Sequence, residues 1–309
     1  MMKKLISTNN LAHEEWLRYR KQGIGGSDAG AVCGVNPYKT AMQIYYDKTS
    51  DEVETLDNEA MRQGRDFEDY IAKRFSQETG KKVRRANSMF YDEKHPWMIA
   101  DVDRMIVGEN AGLEIKTASP YTQSQWENGN IPLSYQMQCY HYMSVCNADA
   151  WYIAVLIYGR EFKYYKLEYD KEIIDSLIKL EEDFWKNNVL KKKLPAPDGS
   201  TLADNVIASR FKATKDKSIP LLGFDEKLLR RQELVQLIDK LDTERKQIEQ
   251  EVKIYLGDAE IAENSRYSVS WKSLISSRFD AKALQEQEPE VYKKYLKTVN
   301  SRRFTVKAA

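Results

Sequence analysis

Two short runs of alternating residues constrain this chain more than anything else in it. Met98 to Val107 (MIADVDRMIV) and Leu113 to Ala118 (LEIKTA) alternate with a period of two, and Gly108-Glu109-Asn110-Ala111-Gly112 between them is turn chemistry, so the segment predicts a β-hairpin. Acidic residues sit inside these apolar strands. Glu114 is framed by Leu113 and Ile115, a costly place for an unpaired charge. Asp101 and Asp103 share a face of the opposing strand and repel unless a cation lies between them. Lys116, two residues beyond Glu114, points to the same face as Glu114.

That pattern suits phosphodiester hydrolysis, which needs an activated water, neutralised phosphoryl oxygens and help for the leaving alkoxide. Magnesium held by carboxylates can supply all three, and it prefers hard oxygen ligands while keeping several waters. Glu114 and Asp103 are the candidate metal ligands and Lys116 the cation beside the water or phosphate; Asp103 is favoured over Asp101. An acidic-x-Lys triplet alone says little, since about five arise by chance in a chain like this. Asp92-x-Lys94, Glu161-x-Lys163, Asp225-x-Lys227, Glu244-x-Lys246 and Glu251-x-Lys253 also match. Only Glu161-x-Lys163 also lies on a predicted strand, and no Asp faces it. Glu68, four residues after Gly64 in a predicted helix, is a further candidate that taken alone also reads as a surface Glu paired with Arg65.

The remaining pattern predicts an α/β fold with a mixed central sheet flanked by helices. Helices are expected at 13–21, from Ser27 as N-cap, from Asn36-Pro37 through Tyr46, at 58–79 ending on Gly80, at 133–146 and at 171–187. Strands are expected at 82–91, 150–158 and 161–168. We divide the chain into a domain at 1–190, a linker at 191–217 that opens with Lys191-Lys192-Lys193, Pro195, Pro197 and Gly199, and a C-terminal extension at 218–309. In the extension, Leu234, Leu241, Ile248 and Tyr255 recur every seven residues along a long helix, one arm of a helical hairpin. Tyr267–Trp271 and Arg303–Lys307 read as two strands of a small module.

Lys+Arg (48) and Asp+Glu (47) nearly cancel over the 309 residues, so net charge does not announce a nucleic-acid binder. Arg266 to Ala309, however, hold ten Lys or Arg against four Asp or Glu, a basic tail that suits either a phosphate backbone or a solvated surface. Cys33, Cys139 and Cys146 show no CxxC spacing, which fits a reducing cytoplasm. The opening Met1-Met2-Lys3-Lys4-Leu5-Ile6 lacks a signal-peptide core and no run reaches transmembrane length, so a cytoplasmic protein away from the membrane is expected.

An ordered set of segments carries a family resemblance. Arg20, Gly23-Ile24-Gly25-Gly26-Ser27-Asp28, Gly34-Val35-Asn36-Pro37-Tyr38, Gly64-Arg65-Asp66-Phe67-Glu68, Ala100-Asp101-Val102-Asp103, Leu113-Glu114-Ile115-Lys116, Ile131-Pro132 and Tyr135-Gln136-Met137-Gln138 occur in one order. Together they resemble YqaJ-like viral recombinases, relatives of phage lambda exonuclease, over roughly residues 12–190. The resemblance implies a restriction-endonuclease-like core of the PD-(D/E)xK type. It also implies digestion of one strand of linear duplex DNA from its 5′ end, leaving a 3′ single strand for recombination. It assigns metal binding (magnesium, with manganese able to substitute) to Asp103, Glu114 and the Ile115 carbonyl, with Glu68 serving a second ion. Lys116 orients or activates water, Gln136 contacts the scissile region, and Arg20 with Ser27 holds the 5′ phosphate. A trimer, a single-strand annealing partner and a phage or prophage origin in a bacterial host cell are implied in the same way. Independently of the family, an Arg beside a glycine turn and a helix start offers a cation, a hydroxyl and free N–H donors to a phosphate.

Two other readings compete at this point. A Cas4-like or structure-specific nuclease of the same superfamily usually brings a cysteine cluster, which three scattered cysteines do not make. A non-catalytic DNA-binding module does not require an aligned carboxylate set.

Overall fold

Helix caps and turn residues divide the chain in the computed structural model, which describes residues 2–53, 57–211, 218–298 and 302–307. Two units result, Met1–Lys212 and Ala213–Ala309. In the first, β1 (Met2–Ser7), α1 (His13–Arg20), β2 (Ile24–Gly25), α2 (Gly26–Val32), α3 (Ala41–Thr49) and α4 (Glu59–Thr79) precede β3 (Val83–Arg84), β4 (Ser88–Asp92), β5 (Met98–Asp101), β6 (Arg104–Ile106) and β7 (Ala111–Ala118). A 3₁₀ turn (Pro120–Trp126) leads to α5 (Leu133–Cys146), β8 (Ala150–Ile157), β9 (Glu161–Glu168), α6 (Lys171–Asp183), which runs on as a π turn to Leu190, and α7 (Thr201–Arg210).

The strands form two mixed sheets flanked by helices, the fold class the sequence predicts. One has the order β3-β6-β7-β8-β9 with only β7 and β8 parallel; the other has the order β1-β4-β5-β2 with β2 and β5 parallel. Strand β8 is apolar on both faces because helices cover both. Ile71, Ala72 and Phe75 of α4 pack on Leu113, Ile115, Tyr152 and Ala154, while Trp151, Ile153 and Val155 meet Cys139, Tyr142 and Met143 of α5. The period of two in β7 therefore turns Leu113 and Ile115 toward α4 and leaves Glu114 and Lys116 on the α5 face. At Gly112 a Cβ would come within 2.2 Å of the Trp151 indole, so only glycine lets this strand pass the ring. Helix α4 runs from its Asn58 cap to Gly80 at φ 71°, as the sequence predicts.

Several expectations are corrected. Met98–Val107 is not one strand: β5 pairs with β4 and β2, and β6 pairs with β3 and β7. The break falls at Val102-Asp103, where the Asp103 side chain takes the Ile115 N–H that a longer β6 would need. Ser27 is not an N-cap; Gly25 holds that position, and Asp28 accepts the Gly25 N–H at 3.1 Å. The helix expected from Asn36 begins at Ala41, because Asn36 Oδ1 accepts from Tyr38 N and Lys39 N in a local turn and Thr40 caps instead. The stretch read as a linker carries α7, capped by Ser200, with the Arg210 guanidinium 4.5 Å over the Tyr46 ring. Strand β1 pairs with β4 and was not anticipated.

The second unit has α8 (Asp225–Leu256), β10 (Ile261–Glu263), β11 (Ser268–Ser270), α9 (Ala281–Gln287) and α10 (Pro289–Tyr295). Among its described residues α8 has no second long helix beside it, and Leu241, Ile248 and Tyr255 are exposed, so the helical-hairpin expectation is not realised. Strand β11 pairs with β10 rather than with Arg303–Lys307. Asn264 Oδ1 accepts from both Arg266 N and Tyr267 N at 2.8 Å, which closes a short hairpin at less entropic cost than a distant pairing. No helix among the described residues is long and apolar enough to cross a membrane.

Candidate active site

The site begins where the chain passes from one sheet to the other. The Asp103 Oδ2 atom accepts the Ile115 N–H at 2.7 Å, which fixes the carboxylate against β7 at the level of Glu114. Glu114 is 2% exposed and receives two donors on one oxygen, Oε1: the Lys116 ammonium and the Gln138 amide, the latter at 2.6 Å. Its other oxygen, Oε2, is buried without a partner. A buried polar atom left unpaired is uncommon and calls for a missing ligand.

The electrostatics agree. Burial raises Asp103 well above the usual carboxylate range, and the neighbouring Glu114 raises it further. Burial also raises Glu114, opposed by Lys116. Burial alone would lower Lys116, but Glu114 and Asp103 push it above the ordinary lysine range. Two acids so placed fit a divalent cation in a way that one buried ion pair does not. Among the described residues no three His, Cys, Asp or Glu side chains enclose a metal by themselves. Asp103 and Glu114 are hard oxygen donors of the kind that could hold such an ion, with water and substrate phosphate filling its other positions.

Glu68 reaches the rim of this group from α4. It pairs with Arg104, not with Arg65, which binds Asp57. Arg104 is 4% exposed and also donates to the Asp103 carbonyl and to Asp69, each at 2.6 Å. Gly64 is not a close packing point, since a Cβ there would meet only Thr117 Oγ1 at 3.9 Å.

Gln136 is not among the side chains bonded to Glu114. Its Nε2 donates to the Ile131 carbonyl at 2.7 Å, away from the carboxylates. Two residues along a helix turn a side chain by more than half a revolution, so it is Gln138 that faces Glu114. Gln138 also donates to Tyr142 Oη at 3.1 Å, and Tyr142 donates to the Asp101 carbonyl at 3.1 Å. Tyr135 lies with its ring 4.9 Å from Lys116 Nζ. The signal for Gln138 was its i,i+4 spacing to Tyr142 on the helix. The rival Glu161 and Lys163 make an edge-strand ion pair at 2.8 Å that is partly exposed.

A cleft of about 170 Å³ runs from Asp103 to the predicted anion site at Arg20 and Ser27. It is lined by Arg20, Gly25, Gly26, Ser27, Asp101, Asp103 and Tyr142, among others. Arg20 donates to Ser27 Oγ at 2.6 Å and stacks 4.9 Å over Trp16. Trp16 donates its indole N–H to Asp101 at 2.6 Å, which takes Asp101 out of the group around Glu114. The structure thus brings Arg20 and Ser27 together and opens both onto the cleft that Asp103 lines.

The family model described as the YqaJ-like viral recombinase domain matches residues 15–149. The uncharacterized protein YqaJ of Bacillus subtilis (strain 168) is 38% identical over 308 residues, spanning 98% of this chain and 97% of that protein. Among solved structures, LHK-Exo in complex with dAMP superposes with a TM-score of 0.51 at 17% identity, covering 58% of this chain and 94% of that one. A second structure of LHK-Exo, an alkaline exonuclease from Laribacter hongkongensis, gives 0.50 at 18% identity, covering 58% and 97%. These structures share the fold of the first unit.

Proposed function

The chain belongs to the YqaJ-like viral recombinase family, and we propose that it is a magnesium-dependent exonuclease that digests linear duplex DNA from 5′ ends and leaves 3′ single strands for recombination. The observation that carries this reading is buried Glu114, with one unpartnered oxygen, beside the half-buried Asp103 and Lys116. A binding module gains nothing from setting a second acid against a buried one, whereas a hydrolase does.

Asp103, Glu114 and the Ile115 carbonyl would hold the ion, with Glu68 at the rim reaching it directly or through water. Magnesium there supplies charge neutralisation on the phosphate and lowers the cost of forming the nucleophile. Lys116, an ammonium with three donors, orients water against the scissile phosphate and offsets charge that grows in the transition state. Gln138 and Tyr142 hold Glu114 in place. Arg20 and Ser27 bind the terminal phosphate at the far end of the cleft, which sets which bond reaches Lys116. Duplex ends, a single-strand annealing protein and further copies of this chain in a trimer complete the reading.

Its test is digestion of linear and closed circular duplex in magnesium and in chelator. Linear DNA is degraded only with metal and circles resist. Activity in chelator, or equal attack on circles, overturns the reading.

A further inference from the structure

Behind Arg20 lies a carboxylate that the chemistry above does not use. Asp28 is 1% exposed. Its Oδ2 is 2.8 Å from Lys48 Nζ, and its Oδ1 is 3.6 Å from Lys39 Nζ and 3.8 Å from Arg20 Nη2. Lys48 alone suffices to neutralise it. That ammonium is as buried as the carboxylate and also donates to the Arg20 carbonyl at 2.8 Å. Asp47, 3.3 Å from Lys48, is in turn 3.8 Å from Lys21, whose ammonium is held by the carbonyls of Asp47, Ser50 and Glu52. The group therefore has two acids and four cations, and the two cations with accessible heads are Arg20 and Lys39.

Both approach the same oxygen of Asp28, so one phosphate can bridge them. Burial would raise Asp28, but Lys48, Lys39 and Arg20 together hold it well below the usual carboxylate range, and it stays an anion that keeps the two cations side by side. Lys39 is delivered by backbone chemistry that does not involve its side chain: Asn36 Oδ1 accepts the Lys39 N–H at 3.1 Å, and Thr40 caps α3.

We propose that Lys39 is a second phosphate-binding cation beside Arg20, and that Asp28 is the positioning residue that presents both, so that the chain selects a 5′-monophosphate end. A terminal monophosphate carries close to two negative charges against one for an internal diester, and two cations match it where one would not. The inference rests on the exonuclease reading and adds the group that gives it end specificity.

The test compares full-length wild type, Lys39→Gln, Lys39→Arg, Asp28→Asn and Arg20→Ala on linear duplexes with 5′-phosphate or 5′-hydroxyl ends. Rates are taken in magnesium and binding in calcium. Lys39→Gln lowers the phosphate-to-hydroxyl ratio of kcat/KM about tenfold, mainly through KM, as loss of one charge-assisted contact implies. Lys39→Arg restores most of the ratio, which a merely structural role for Lys39 would not show. Folded Asp28→Asn loses the ratio as well; should that variant not fold, Lys39→Gln still decides the matter. An unchanged ratio in Lys39→Gln beside a lost one in Arg20→Ala overturns the role of Lys39 and leaves 5′-end recognition standing. A wild type that digests both kinds of end alike overturns the proposal together with the end reading, and leaves the metal-dependent nuclease untouched.

Discussion

The Asp103 carboxylate accepts the Ile115 backbone N–H at 2.7 Å, and this one bond ties the passage between the two sheets to the strand that carries Glu114 and Lys116. It replaces a ladder bond with a side-chain bond, and so lets β6 begin only after Asp103, where an acid is needed. Asparagine can accept the same N–H but brings no charge. Asp103→Asn therefore abolishes activity while raising the stability of the metal-free protein by about 0.5–2 kcal/mol, since it removes a like charge set against buried Glu114. Thermal unfolding in chelator checks it; a lower Tm than wild type contradicts the repulsion argument.

Magnesium should stabilise the wild type and not this variant. Binding to the native state alone adds about 2.7 kcal/mol at a hundredfold excess over Kd. Glu114→Gln loses the same increment. A magnesium-induced rise in Tm that survives in both variants places the ion elsewhere.

Lys116→Ala should cost at least about 100-fold in rate, with duplex binding in calcium kept. Glu161→Ala and Lys163→Ala share the spacing but form an edge-strand ion pair and should be nearly silent, as such pairs contribute about 0–1 kcal/mol. Retention of more than about a tenth of the rate in Lys116→Ala argues against its role.

Gln138→Ala should impair the enzyme more than Gln136→Ala. The first strips a donor at 2.6 Å from buried Glu114 and leaves its carboxylate under-paired, a loss of about 1–3 kcal/mol. Gln136 bonds only a backbone carbonyl at the start of α5. Equal effects in a single-turnover assay would falsify the assignment of Gln138.

How far the sequence could be read follows from these residues. The period of two around Glu114 fixed which side chains share a face, because strand geometry leaves no choice. The Asn58 cap and Gly80 bounded α4 for the same local reason. What escaped were side chains that replace backbone partners: Asp103 delaying β6, Asp28 bonding Gly25, and Asn36 delaying α3. Each is a competition between local bonds that spacing does not rank. Gln138 was missed although the bounds of α5 match the expected 133–146, because which face of that helix meets β7 is set by tertiary packing and not by spacing within the helix.

Asp28 predicts a pH response with a definite sign. Its folded-state pKa lies well below the usual carboxylate value, so its contribution is fully present above about pH 4, the unfolded value. It is lost as pH falls below that toward the folded pKa. Asp28→Asn should cost about 3–5 kcal/mol at neutral pH, as breaking a buried pair does, and should flatten the fall in stability below about pH 4. Denaturant unfolding from pH 3 to 7 measures both; a variant whose acid limb parallels the wild type contradicts the assignment.

The most direct test of the central claim is single-turnover digestion of linear duplex labelled at either end of one strand, with wild type and Glu114→Gln, in magnesium and in calcium. The account predicts magnesium-dependent loss of the 5′ label first, a surviving complementary 3′ strand, and no cleavage by Glu114→Gln despite retained binding. Digestion that starts at the 3′ label, or that continues in Glu114→Gln, would contradict it.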